Sequence, residues 1–209
     1  MKPQLYPALQ EYLNKLEPGA IPQERRARLQ ALIDYIQQCQ AQEKPLRLHF
    51  ICTHNSRRSL LAQVWAHTLA QHFQVPLQPF SGGVEVTAFN PQAVAALRRA
   101  GFHIPEPPPG ENPPYAVHFA PEAAPMSAYS KLFDAPENPR APFAAVMTCA
   151  EAAQNCPFIP GTERRIALSY EDPKRADGTP QQEATYDARC RQIATELSFV
   201  FRQSLFPHA

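Results

Sequence analysis

Leu48-His49-Phe50-Ile51-Cys52-Thr53-His54-Asn55-Ser56-Arg57-Arg58-Ser59 is the stretch on which the reading of this chain turns. Leu46–Ile51 is an apolar run of strand length that ends directly in Cys52. From Arg58 to about Phe73 the apolar residues Leu60, Leu61, Val64, Trp65 and Leu69 recur at helical spacing. A buried strand therefore passes through Cys-x5-Arg-Ser straight into a helix. Five residues between a thiol and a guanidinium can curl so that successive backbone N–H groups point inward. With the helix N-terminus behind them they form a cradle for a tetrahedral oxyanion. The same field favours the thiolate form of Cys52. Arg58 can hold two oxygens of the anion with its planar fork, and Ser59 can donate a hydrogen bond to the sulfur. Asn55 is one of the few non-glycine residue types that accepts the left-handed backbone such a loop needs. Thr53, His54, Ser56 and Arg57 complete the cradle, His54 shaping it rather than acting as a base.

Outward from this loop the pattern continues as strand and helix in alternation. Val75–Phe80 reads as a short strand followed by Ser81-Gly82-Gly83. Asn90-Pro91 is a strong helix start, and Gly101 stops that helix. Phe143–Thr148 is the next buried strand, again ending in a cysteine, Cys149. Arg165–Leu168 is the last strand expected, and Glu183 to Phe201 a closing amphipathic helix. This order implies an α/β fold, three layers α/β/α around a central parallel sheet with right-handed crossovers. Residues 1–45 read as an N-terminal helical hairpin. Leu5, Leu9, Leu13 and Leu16 lie on one helix, Pro18-Gly19 breaks it, and Pro22 opens a second carrying Leu29, Leu32, Ile33, Ile36 and Cys39. The domain organisation expected is thus the hairpin at 1–45 and the α/β domain at 46–209. Within the latter, a proline-rich insertion at about 105–142 holds 11 of the chain's 24 prolines. Its stretches Ala116–Phe119 and Tyr129–Phe133 read as a strand pair joined by stiff loops.

Composition narrows the function. The 209 residues carry a net charge of +1, with 44% hydrophobic and 19% charged residues. That balance excludes disorder throughout and argues against a protein that blankets nucleic acid or acidic membrane. No apolar run is long enough for a membrane helix. The start, Met1-Lys2-Pro3-Gln4-Leu5, has no apolar signal core, so a cytoplasmic location is expected. Five cysteines, an odd number, fit reduced thiols rather than a disulfide framework. No Cys-x-x-Cys pair exists, so neither a metal nor a cofactor is expected. Cys39 and Cys190 fall on helices as packing residues.

The loop from Cys52 to Ser59 resembles the phosphate-binding loop of the low-molecular-weight protein tyrosine phosphatases and of the arsenate reductases that share their fold. The resemblance runs through Ser81-Gly82-Gly83-Val84-Glu85 and Asn90-Pro91-Gln92-Ala93 to the last helix, roughly residues 46–209. It implies Cys52 as nucleophile, Arg58 as anion ligand, Asp172 of Asp172-Pro173 as the acid that protonates the leaving oxygen, and Ser81 as a loop support bonded to Asn55. Cys149 and Cys156, at Cys-x6-Cys spacing, resemble the second and third redox cysteines of thioredoxin-coupled arsenate reductases. Lys174-Arg175 stand where the phosphatases usually place an aromatic wall, which favours a small inorganic anion. Gln63 stands where some reductases have a carboxylate near a monovalent cation, so no bound ion is expected.

The reading is an arsenate reductase working through a Cys52, Cys149, Cys156 thiol relay. Its partners would be an arsenate or phosphate-type oxyanion and a reductant, thioredoxin or a small thiol. The alternatives are a tyrosine phosphatase that uses Cys52, Arg58 and Asp172 alone, and a non-catalytic oxyanion-binding or docking protein.

Overall fold

The computed structural model describes residues 3–155 and 158–205. Helices α1 (Pro7–Asn14) and α2 (Gln23–Ala41) precede strand β1 (Leu46–Cys52). Then come α3 (Arg58–Phe73), β2 (Leu77–Gly83), α4 (Pro91–Arg99), β3 (Tyr115–Val117) and β4 (Met126–Ala128). The chain closes with β5 (Phe143–Met147), α5 (Ala150–Asn155), β6 (Thr162–Ala167) and α6 (Gln182–Leu205). Four strands form one parallel sheet in the order β2-β1-β5-β6, and β3 and β4 form a separate antiparallel pair. Because the sheet is covered on both faces, β1 and β5 are apolar almost throughout, and alternate side chains enter different cores. Leu48, Phe50, Ala144 and Val146 join the large core under the helices. Ile51, Cys52, Ala145 and Met147 join a smaller one with Phe143, Cys149, Ala152 and Ile159. α2 and α3 both pack along α6, as does α4. Among the described residues no helix is long and apolar enough to cross a membrane.

The element boundaries differ from the sequence expectation for identifiable reasons. Gln74 ends α3 in the left-handed conformation, and the Val75 N–H closes on the Ala70 carbonyl at 2.8 Å, so β2 starts at Leu77 rather than Val75. Ser81–Gly83 belong to the strand, because each pairs with β1 up to Cys52↔Gly83. In the insertion, β4 is Met126–Ala128, not Tyr129–Phe133. Residues 131–133 instead bracket the end of β2: Gly83 N–H donates to Lys131 O and Phe133 N–H to Gly83 O, both at 2.9 Å. β6 begins at Thr162 rather than Arg165, α6 runs on to Leu205, and Pro22 caps α2 instead of occupying its first turn.

α1 and α2 bury Leu9, Leu13, Leu29, Leu32, Ile33 and Ile36 in the large core, continuous with that of residues 46–205. Tyr12 stacks on Trp65 with ring centroids 5.5 Å apart. Gly101, at φ +102°, lies hard against α1: a Cβ there would come within 2.3 Å of the Leu9 nitrogen. Gly101→Ala should therefore lower stability by at least about 2 kcal/mol, from backbone strain plus the lost seat of α1. Urea unfolding checks this; an unchanged midpoint would contradict it.

His49, on β1, is fully buried between the rings of Phe80 and Phe143. Burial, aided by the nearby Lys131 charge, holds it neutral, with a pKa of about 3. In the unfolded chain a histidine takes up a proton near 6.5. Its contribution is complete above that value and is lost as pH falls, at up to about 1.4 kcal/mol per pH unit toward pH 3. Urea midpoints measured from pH 7 to pH 4 should fall less steeply for His49→Leu than for the natural protein.

Candidate active site

The loop from Cys52 to Ser59 takes its shape from hydrogen bonds that all attach to its outside. Thr53 O accepts from Val84 N–H at 2.8 Å and Glu85 N–H at 2.9 Å. His54 O accepts from Ser130 Oγ at 2.9 Å and Thr87 Oγ1 at 3.1 Å, and Ser56 O accepts from Asn90 N–H at 2.9 Å. In a planar trans peptide the N–H points opposite to the carbonyl. The N–H groups of His54, Asn55 and Arg57 are thereby turned toward the concave side. Gly83 permits this closeness, since a Cβ on it would lie 2.7 Å from Asn55 N and 2.8 Å from Thr53 O.

Asn55 has φ +44°, the left-handed conformation expected of it. Its side chain is fully buried and used at both ends. Nδ2 donates to Ser59 Oγ at 2.8 Å, and Oδ1 accepts from Lys131 N–H at 2.9 Å. With its lone pair taken up by Asn55, the Ser59 hydroxyl is free to donate to Cys52 Sγ, 3.1 Å away. Ser81 does not support Asn55 as expected. Its hydroxyl faces α3 and donates to Gln63 Oε1 at 2.6 Å, because the parallel pairing with Phe50 fixes which way it faces. Lys131 of the insertion takes the place assigned to Ser81. Gln63 is further occupied by donating to Pro79 O at 3.2 Å.

Arg58 is 7% exposed and reaches the loop that carries Asp172. Nη2 donates to Asp172 Oδ2 at 2.7 Å and Nη1 to Tyr170 O at 3.1 Å. Its Nε is buried with no partner among the described residues. A buried guanidinium N–H left unpaired beside inward-facing amides suits an anion acceptor. Asp172 also caps the 3-10 turn Pro173–Ala176, accepting from Lys174 N–H at 3.0 Å. Cys52, His54, Ser56, Arg57, Arg58 and Asp172 line one small cleft. Arg57, part of the loop as expected, turns its guanidinium to Tyr186 Oη at 2.7 Å and Asp177 Oδ2 at 3.3 Å. His54 Nε2 lies 3.2 Å from Glu85 at the rim.

Cys149 lies just past the end of β5, beside β1, whose last residue is Cys52, and the two share the smaller core. Its Sγ lies 3.5 Å from Thr53 Oγ1 and accepts from Ala152 N–H at 3.3 Å. Burial pushes the Cys149 thiol up; those two contacts and the Arg58 charge pull the other way. Cys156 lies outside the described residues. Among the described residues no cluster of three or more His, Cys, Asp or Glu could hold a metal.

Lys131, Ser130, Thr87, Gly83 and Tyr186 were not among the site residues expected from sequence. Only the Gly82-Gly83 pair beside the loop carried a local signal, a close backbone approach. Asn55→Ala removes both side-chain bonds and strains the loop, so phosphate binding measured by calorimetry should weaken by about tenfold or more. Ser81→Ala should change it less than about twofold, because that hydroxyl supports Gln63 and not the cradle.

No family model matches the chain. In sequence it is 28% identical over 144 residues to an arsenate reductase of Bacillus licheniformis, covering 69% of this chain and 86% of the relative. It is 27% identical over 158 residues to one of Oceanobacillus iheyensis, covering 75% and 95%. In structure it is similar to a low-molecular-weight phosphotyrosine phosphatase of Vibrio cholerae, with a TM-score of 0.52 and 14% identity over 78% of this chain and 99% of the other. The chain has the low-molecular-weight phosphatase fold, and these two sequence relatives are bacterial arsenate reductases.

Proposed function

We propose that this protein reduces arsenate to arsenite by a relay through Cys52, Cys149 and Cys156. The observation that carries the reading is the seat of Cys149, fully buried in one apolar cluster with Cys52 and touching Thr53 of the oxyanion loop. A phosphatase mechanism through Cys52, Arg58 and Asp172 needs no second thiol there. The names of the sequence relatives support the same reading.

Arsenate settles on the inward N–H groups and on Arg58, whose Nε then finds an acceptor. The Cys52 thiolate attacks arsenic, forming an S–As bond. One arsenic-bound hydroxyl leaves as water after taking the proton of Asp172, which is recharged from solvent. The anion competes with Asp172 for Nη2 of Arg58, freeing the carboxyl to face the leaving oxygen. Cys149 then loses its proton to an oxygen of the departing arsenite and attacks Cys52 Sγ. The S–S bond forms, the S–As bond breaks, and its electron pair stays on arsenic, which departs as arsenite. Arsenic gains the two electrons that the sulfurs lose. Cys156 attacks Cys149, releasing the Cys52 thiolate and leaving a Cys149–Cys156 disulfide. An external thiol reductant, thioredoxin or a small thiol, reduces that disulfide.

Fully reduced protein mixed with one equivalent of arsenate, without oxygen, should release about one arsenite and lose two thiols to a Cys149–Cys156 disulfide found by peptide mapping. Cys156→Ser should trap Cys52–Cys149 instead, and Cys149→Ser should release no arsenite. Five free thiols together with aryl-phosphate hydrolysis indifferent to Cys149 would overturn the reading in favour of a phosphatase. Anion binding without turnover of either substrate would overturn it in favour of a docking protein.

A further inference from the structure

The chain's N-terminal helices lie outside the resemblance that covers residues 46–209, yet one of their side chains reaches the Asp172 loop. Arg25, in the first turn of α2, is 14% exposed at its side chain and faces Glu196 of α6, which is 3% exposed. Nε and Nη2 donate to the two Glu196 carboxylate oxygens, each at 2.8 Å. An ion pair alone needs only those two bonds. The third, from Nη1, goes to Ser169 O at 3.1 Å, three residues before Asp172. The guanidinium carbon also sits 4.8 Å from the centre of the Tyr170 ring, which is buried. Tyr170 O is the acceptor for Arg58 Nη1 at 3.1 Å.

The route to Asp172 is short and held at each step. Leu168 N–H donates to Met147 O and Tyr170 N–H to Thr148 O, both at 3.0 Å, which extends β6 past its last paired residue. Arg25 clamps the intervening Ser169 peptide from the opposite side of the chain. Beyond Tyr170, Glu171 is held by Arg189 at 3.3 Å and by Arg175, and Asp172 meets Arg58. A carboxyl that must meet one particular leaving oxygen is sensitive to displacement well under 1 Å. Arg25 is the point where the N-terminal helices act on that aim.

We infer that Arg25 is a positioning residue for the reaction, holding the Ser169–Tyr170 backbone so that Asp172 and Arg58 keep their mutual geometry. The N-terminal helices thereby take part in turnover rather than only enlarging the core. This rests on the reading of Asp172 as proton donor.

The test is a double-mutant cycle. Removing Arg25 alone strands the buried Glu196 charge, so the variant is Arg25→Met with Glu196→Leu, an apolar pair in place of the ionic one. Arg25→Lys serves as a second variant, which keeps a charge for Glu196 but lacks the planar fork that reaches Ser169 O as well. Each is made in the natural protein and in Asp172→Asn. The readouts are single-turnover arsenite release, phenyl phosphate hydrolysis and the Kd for inorganic phosphate. With Asp172 present, both rates should fall by about tenfold in the Met/Leu variant and about threefold in the Lys variant. The Kd for phosphate should move less than about twofold. In Asp172→Asn, the Arg25 changes should cost less than about twofold further, because the aim they disturb is already gone.

Equal losses in both backgrounds, or a Kd that weakens in step with the rate, would overturn the assignment and leave Arg25 a stabilising contact only. Should Asp172→Asn by itself leave both rates intact, the proton-donor reading fails and the Arg25 assignment falls with it. The two failures are thus told apart by the Asp172→Asn rate.

Discussion

The carbonyl oxygens of Thr53, His54 and Ser56 all accept hydrogen bonds from residues outside their own loop, and the chemistry of the site depends on that one constraint. A peptide group has a single plane, so fixing the oxygen on the outside fixes the N–H on the inside. The donors come from the segment after β2, the N-cap of α4 and the insertion. None of them belongs to the strand or helix that the loop connects. Asn55 completes the arrangement from within, bridging Ser59 and the Lys131 backbone from a left-handed conformation. An isolated strand-loop-helix of this sequence would have nowhere to place those carbonyls except in water.

The two faces of the sheet carry unequal burdens. The large core, under α2, α3, α4 and α6, holds most of the buried apolar side chains, including those of the N-terminal helices. The smaller one holds Cys52, Cys149 and a handful of partners under the short helix α5. Local opening is least costly where few apolar contacts are lost. On the proposed relay, a thiol that leaves its seat after one exchange is better lodged under a six-residue helix than beneath α6. The fold thus separates rigidity, supplied on one face, from the sulfur positions on the other.

The segments before β1 and between α4 and β5 are tied to the cleft at several points. The insertion supplies Ser130 and the Lys131 N–H to the oxyanion loop, and Asn112 secures Ser130 through its N–H at 3.1 Å and its carbonyl at 2.8 Å. The proline richness of this segment suits that role. Rings with fixed φ reduce the conformational freedom that a long loop would otherwise lose on folding. On the opposite side, α2 sends Arg25 to Ser169 and Tyr170. Residues of both segments therefore touch the loops that carry Cys52 and Asp172.

What the sequence determined by itself is local in origin. A strand running into Cys-x5-Arg-Ser and out as a helix, an asparagine able to adopt positive φ, and apolar runs alternating with helical spacing are all set by neighbours a few residues apart. So is the N-cap of α4, where Asn90 Oδ1 accepts from Gln92 and Ala93 N–H. Only the tertiary structure decided that Lys131 and not Ser81 holds Asn55, that Arg57 turns to Tyr186, and that Arg25 reaches Ser169. Each of these is a hydrogen bond between groups from 76 to 144 residues apart, apart from the turn of Ser81 to Gln63. Their partners are backbone carbonyls, backbone amides and common side chains, which carry no mark in the sequence. Which of them meet is settled by strand order, register and the packing of helices, and those emerge only when the whole chain has collapsed around its cores.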